Sequence, residues 1–325
     1  MTPAVPMEPV MPANASSADA LGHVRAAADG GNVDALMHLA VAYLAGQAVP
    51  RDVAAARSFI RRAVAIGHVD GALMEVALTA NGSGGPRDWT GALTLLRSAA
   101  STDPVALAQL ALVERMNLRS DGTPSVRPQG DTISSSPNVV HFKQLLTVEE
   151  CSHVARATAD LLEPASVLDP QTGQRIRHPV RTSHDGTIGP AREDLVVRAI
   201  NLRIAAATGT SVDQGEALTI LRYAPGQEYR PHVDAIAGSS NQRIKTILVY
   251  LNEGYGGGET AFLANGLTVK GGTGDAILFD NVLSDGSPDP SSRHAGLPVR
   301  SGVKWLATRW IRAKPLDPWD PATAS

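Results

Sequence analysis

The chain has 325 residues, of which 43% are hydrophobic, 19% charged and 4% aromatic, with a formal charge of −3. That apolar share rules out wholesale disorder, the length predicts two domains or one domain with an accessory part, and the charge argues against a general nucleic-acid binder. The single cysteine, Cys151, excludes an intramolecular disulfide, a Cys-rich zinc site and an iron–sulfur cluster. No apolar run reaches the ~18–20 residues needed to cross a bilayer. The first residues carry neither a basic start nor the apolar core of a leader peptide, so the expectation is a cytoplasmic protein.

Residues 1–18 are rich in Pro, Ala and Ser without period and read as a disordered lead. Over 19–115 an internal repeat follows. Gly31-Asn32-Val33-Asp34 recurs 36 positions on as Gly67-His68-Val69-Asp70. The same shift carries Gly46 onto Gly82, Pro50-Arg51-Asp52 onto Pro86-Arg87-Asp88, and Ala56 onto Ala92. A fixed period of this size signals stacked helix–turn–helix units. The spacing predicts helices over Asp34–Leu44 and Asp52–Ile66, with Asp52 as an N-cap, and a degenerate third copy over Ser101–Arg115. Ala40, Ala42, Ala56 and Ala63 let neighbouring helices approach closely. The segment resembles the Sel-type, tetratricopeptide-like repeats, an α-solenoid family that binds other proteins. Two clear copies are few for an independent solenoid, so packing against the rest of the chain stands beside partner binding as a reading.

Residues 116–137 read as a linker, being polar and rich in Ser, Gly and Pro. Thr147-Val148-Glu149-Glu150 has the form of a capping box opening a helix to Leu162, and Arg192–Thr208 has a helical apolar stripe. From Ala217 the period falls to two. Strands are predicted at Leu218–Tyr223, Thr246–Leu251, Leu267–Lys270, Ala276–Phe279 and Val303–Ile311, separated by Gly-rich turns. Helices followed by many short strands suggest a sandwich or jelly roll flanked by helices.

The chemistry concentrates in His232-Val233-Asp234 and, 60 residues past Asp234, His294. Alternate residues of a strand share a face, so His232 and Asp234 are expected to converge. Two imidazoles and a carboxylate make a facial triad suited to non-haem Fe(II), although zinc accepts the same donors. Lys304 lies among apolar, strand-like neighbours, where a charge needs a partner; a ligand carboxylate would serve, and an outward-pointing lysine is the plain alternative.

These motifs sit in a longer text: Leu221-Arg222-Tyr223-Ala224-Pro225-Gly226 through His232-Val233-Asp234, Gly257-Gly258-Glu259-Thr260-Ala261-Phe262, Gly274-Asp275-Ala276, His294-Ala295-Gly296 and Gly302-Val303-Lys304-Trp305. Residues 138–315 thereby resemble the prolyl 4-hydroxylase family of Fe(II)/2-oxoglutarate dioxygenases, with 316–325 as a tail. The resemblance implies a double-stranded β-helix, or jelly-roll barrel, flanked by helices. It implies Fe(II) on His232, Asp234 and His294, and 2-oxoglutarate held by Lys304 with Tyr223 and Thr260. It further implies O₂ as co-substrate, ascorbate as reductant, and hydroxylation of a prolyl residue in a peptide or protein with decarboxylation of 2-oxoglutarate to succinate and CO₂. Tyr229, Arg243 and Arg181 match positions that face the peptide, and Asp169–His178 reads as a lid.

Trp305 and Trp310 fall on opposite faces of one strand, one in the core and one in the groove. Two alternatives stay open: the same chemistry on another side chain, a free amino acid or a small metabolite, and a catalytically dead interaction protein. Neither nucleic acid nor membrane is an expected partner. His38, His68, His141, His178, His184, Cys151 and Asp275 are read as structural.

Overall fold

The computed structural model describes residues 17–168, 175–177 and 180–320. Apart from its last two residues the lead lies outside them, as do residues 169–174 and 178 of the expected lid and 321–325 of the tail.

Six helices open the described chain: α1 (Ser17–Asp29), α2 (Val33–Ala45), α3 (Val53–Ala65), α4 (Val69–Asn81), α5 (Trp89–Ala99) and α6 (Pro104–Arg115). The repeat landmarks are their end signals. Asn32 and His68, one period apart, cap α2 and α4 by accepting the amides of Ala35 and Gly71. Asp52 and Asp88 do the same for α3 and α5. Gly46 and Gly82 end α2 and α4 at φ 68° and 81°, a left-handed conformation in which a Cβ is strained. Between caps, Ala40, Ala56 and Ala63 are fully buried, so α2 and α3 pack closely over Leu44, Ile60 and Leu78. Arg57 of α3 forks onto buried Glu75 of α4 at 2.6 and 3.2 Å and also donates to the Ser83 carbonyl. The expected third copy is the single helix α6, capped by Asp103.

The rest of the chain is an antiparallel β-domain. Its larger sheet has eight strands in the order Asp131–Ser135, Asn138–Phe142, Ala276–Asp280, Arg243–Tyr250, Lys304–Arg312, Thr219–Tyr223, His184–Thr187, Glu163–Pro164. A four-stranded sheet runs Thr268–Val269, Thr260–Phe262, His294–Gly296, Tyr229–His232. The period-two alternation sorts side chains to the two faces of the larger sheet. Ile220, Ile247, Val249 and Ala307 face the helices, while Leu221, Leu248, Tyr250 and Leu306 meet Phe262 of the smaller sheet. Helix α7 (Val148–Ala157) begins with the expected capping box, Thr147 and Glu150 each bonding the other's backbone amide. Helix α8 (Leu195–Thr208) is buried along most of its length.

One hydrophobic cluster runs from Val76, Trp89, Leu96 and Val113 of the repeats through Leu195 and Ile200 of α8 to the sheet. The repeats therefore share a core with the β-domain, and helices α4 and α6 both pack on α8. Residues 131–135, inside the segment expected to be a linker, form the sheet's edge strand against 138–142. A short polar strand without apolar alternation carries no strand signal of its own, because its pairing comes from the partner strand.

Candidate active site

His232 ends one strand of the smaller sheet and His294 begins its neighbour, and register places them directly opposite. Asp234 is not on the strand: pairing stops at His232, and Val233 beyond it is 43% exposed. The expected convergence through the pleat is thus replaced by a bend after His232. Thr246 draws the carboxylate inward, its hydroxyl donating to Asp234 Oδ2 at 2.6 Å while accepting from Asn281 Nδ2 at 2.8 Å.

The three donor atoms lie within 4.8 Å of one another. Each imidazole is fixed through its other nitrogen. Nδ1 of His232 donates to the Arg230 carbonyl at 2.8 Å, and Nδ1 of His294 to the Ser292 carbonyl at 2.9 Å. Both Nε2 lone pairs are thereby turned toward Asp234, at 3.5 and 3.9 Å from its oxygens. Burial pushes the His294 imidazole down to about 4, keeping it neutral. Burial also opposes charge on Asp234, but the neighbouring His232 and His294 imidazoles and the Thr246 hydroxyl outweigh it and hold the carboxyl well below the usual range. Two imidazole lone pairs and a carboxylate suit a divalent ion. Tyr229 stacks on His232 with ring centroids 3.5 Å apart, and Phe279 meets His294 edge-on at 4.7 Å.

Lys304 opens into the same pocket as the triad. It is 2% exposed, and its ammonium donates to the Gly258 carbonyl at 2.8 Å. Among the described residues it makes no ion pair, and burial pushes it down to about 8. The Tyr223 and Tyr250 rings each lie 5.6 Å from its nitrogen, and the Tyr250 hydroxyl donates to Thr260 at 3.1 Å. Tyr223 and Thr260 line this pocket and are buried. A buried cation that makes no ion pair among the described residues, with Tyr223 and Thr260 lining the same pocket, fits the far carboxylate of 2-oxoglutarate.

Tyr229 and Trp310 line both this pocket and a larger groove of about 1110 Å³ beside it. Arg243 and Arg181 border the groove. Arg243 stacks on the Trp310 ring at 4.1 Å and grips Glu216 through two hydrogen bonds of 2.7 and 2.8 Å. Arg181 pairs by backbone bridge with Tyr229, lies 5.5 Å over its ring and bonds Asp185 at 3.1 Å. Trp310 is therefore the groove-facing tryptophan, and Trp305 is half-buried against the helix-side core. Sequence reasoning passed over Glu216, Asn281 and the bracing role of Thr246. A single acid or amide at a strand end has no periodic signal, and only the pairing of distant strands shows its use.

Residues 218–312 match the 2OG-Fe(II) oxygenase superfamily. Prolyl 4-hydroxylase 1 of Arabidopsis thaliana is 34% identical over 209 residues, covering 58% of this chain and 73% of that protein. Probable prolyl 4-hydroxylase 10 of the same plant is 36% identical over 206 residues, covering 56% and 71%. Among solved structures, the 2OG complex of the viral collagen prolyl hydroxylase of Paramecium bursaria Chlorella virus-1 is 26% identical, with TM-score 0.44, over 54% of this chain and 96% of that one. A Sel1 repeat protein from Oxalobacter formigenes is 26% identical, with TM-score 0.27, over 29% and 39%.

A site of this composition on an antiparallel β-domain is that of a 2-oxoglutarate-dependent dioxygenase, an oxidoreductase using Fe(II), 2-oxoglutarate and O₂. The chain belongs to the prolyl 4-hydroxylase family.

Proposed function

We propose that the protein hydroxylates a prolyl residue in a peptide or protein, with coupled decarboxylation of 2-oxoglutarate to succinate and CO₂, on a jelly-roll barrel formed by the two facing sheets. The carrying observation is the buried, carboxylate-free ammonium of Lys304 in one pocket with the His232–Asp234–His294 cluster. In this reading those three residues hold the iron, and Lys304, Tyr223 and Thr260 hold the cofactor's far end. Iron and 2-oxoglutarate together supply O₂ activation and C–H oxidation.

The chain's own residues do the positioning. Thr246 and the two backbone carbonyls fix the ligands before metal arrives. Burial of Tyr223, Phe279 and Leu306 keeps water from the pocket floor. Tyr229, stacked on His232, with Arg181 and Arg243 on the groove side, would orient the substrate backbone so that one proline reaches the metal. The open groove favours an extended peptide over a free amino acid. Ascorbate, as reductant for iron oxidised without substrate, belongs to the same proposal.

The test is succinate release from purified protein with Fe(II) and 2-oxoglutarate. Proline-containing peptides should stimulate it and gain one oxygen by mass spectrometry, while free amino acids should do neither. Stimulation by free amino acids alone would replace the peptide reading with the small-metabolite one. No succinate, and no visible charge-transfer band on anaerobic addition of Fe(II) and 2-oxoglutarate, would leave an interaction protein.

A further inference from the structure

Among the described residues six arginines border the groove, and five of them have their charge or donors answered within the chain. Arg87 reaches the Asp213 carboxylate, Arg51 the main-chain carbonyl of Trp319, and Arg181 the Asp185 carboxylate. Arg243 grips Glu216. Arg309 donates to main-chain carbonyls, from Nε to Glu216 at 2.9 Å, from Nη1 to Asn201 at 3.1 Å and from Nη2 to Val212 at 3.0 Å. The sixth, Arg198 of α8, is 5% exposed and differs from the rest. Its contact with Glu193, from Nη1 at 3.5 Å, is at the limit of a hydrogen bond. Its Nε is buried without a partner, and its Nη2 bonds nothing among the described residues.

The empty edge is the one that takes carboxylates elsewhere in this chain. Arg57 presents Nε and Nη2 to Glu75 at 3.2 and 2.6 Å, and Arg243 presents the same edge to Glu216 at 2.7 and 2.8 Å. That edge is a planar fork of two donors that matches a carboxylate. The charge around Arg198 is uneven as well. Glu193 is already engaged, its Oε1 accepting from Asn201 at 2.7 Å and its Oε2 from Asn81 at 3.3 Å. Arg309 draws on the same acid. Burial pushes its guanidinium down to about 10, Glu193 opposes that shift, and the charge of Arg198 adds to it. Two buried guanidiniums thus share one buried carboxylate, and a buried charge without a counter-charge is costly. One turn along α8 from Arg198, Asn201 Oδ1 is a buried acceptor without a partner.

We propose that Arg198 anchors a second carboxylate site, outside the iron pocket, where the end of α4 meets α8. Its ligand is a small free organic acid that enters from the groove, lays its carboxylate against the Nε–Nη2 edge and supplies the missing counter-charge. A hydroxyl on the same molecule serves Asn201 Oδ1, so the site favours a hydroxy acid over a plain one. The site lies on the seam between the repeats and the β-domain. Asn81, at the end of α4, donates to the Pro190 carbonyl at 2.8 Å as well as to Glu193. A ligand held there binds the packed chain and not the unfolded one, and so stabilises the seam.

The test uses the full-length chain without iron or 2-oxoglutarate, so its outcome is separable from that of the hydroxylation assay. The probe is glycolate, read by saturation-transfer NMR and by thermal unfolding against sodium chloride at equal ionic strength. A ligand of so few atoms should bind in roughly the millimolar range and, well above its Kd, raise Tm by a few degrees. Lys304→Met, which removes the ammonium of the iron pocket, should keep the signal. Arg198→Met should lose both the signal and the Tm gain. Arg198→Lys, which keeps the charge but not the fork, should bind about tenfold more weakly and guards against a folding defect. Acetate, lacking the hydroxyl, should bind several-fold more weakly than glycolate, and inorganic phosphate at the same concentration should not displace it. No signal in wild type, an undiminished signal in the Arg198 variants, loss of the signal in Lys304→Met, or displacement by phosphate overturns the proposal.

Discussion

Thr246 is 0% exposed and holds the Asp234 carboxylate on one side and the Asn281 amide on the other. Thr246→Val keeps nearly the same shape and removes only the hydroxyl. A hydrogen bond to a charged acceptor contributes about 1.5–3 kcal/mol, and a buried amide left without its acceptor costs about 1–3 kcal/mol more. The metal-free protein should therefore lose roughly 3 kcal/mol, some 10 °C in Tm at about 2–4 °C per kcal/mol for a domain of this size. With the carboxylate no longer held, Fe(II) affinity should fall about 10–100-fold, as for other residues that brace metal ligands. Anaerobic Fe(II) titration at saturating 2-oxoglutarate measures the affinity, and thermal unfolding without metal measures the stability. Thr246→Ser, which restores a hydroxyl, should recover most of the affinity. Fe(II) affinity within threefold of wild type in Thr246→Val, or no recovery with serine, would refute the argument that this hydroxyl fixes the ligand.

Lys304→Met should raise the requirement for 2-oxoglutarate much more than that for iron; an unchanged 2-oxoglutarate KM means the cofactor lies elsewhere. In the unliganded enzyme the ammonium titrates near 8, below its ordinary 10.5, because burial disfavours its charge. Wild-type affinity for 2-oxoglutarate should therefore weaken as pH rises through about 8, and the methionine variant should lose that dependence. The same depressed value means the unfolded chain binds more protons between about 8 and 10.5. Lys304 should then add to stability as pH rises through that window, a slope that a denaturant series on wild type and Lys304→Met resolves. Gly274 has φ +87°, and a Cβ there would lie 2.0 Å from the Leu146 carbonyl oxygen, so Gly274→Ala should cost roughly 3 kcal/mol or more, seen as a lowered Tm.

Much of the architecture is written locally. The 36-residue period marks the repeats because each landmark is a helix end, and an end needs a specific cap or a left-handed glycine whatever it packs against. The capping box at Thr147 and the two-residue alternation of Thr219–Tyr223 are legible for the same reason. His232 and His294 could be named from their motifs, since a metal needs those donor types. The opposite failures are equally instructive. The polar strand Asp131–Ser135 exists only through its neighbour. Asp234 reaches His232 and His294 through a bend and a hydroxyl from another strand, where the HxD spacing had suggested a pleat.

The sequence by itself determined the helix ends of the repeats and named the donor types of the candidate metal site and the lysine beside it, because each depends on backbone preference or ligand chemistry within a few residues. Tertiary structure alone decided that the repeats share a core with the β-domain, that Trp310 and not Trp305 faces the groove, and that Glu216 grips Arg243 while Trp319 crosses to Arg51. Those pairings join residues far apart in the chain, and no local pattern records which distant surface a side chain will meet once the layers pack.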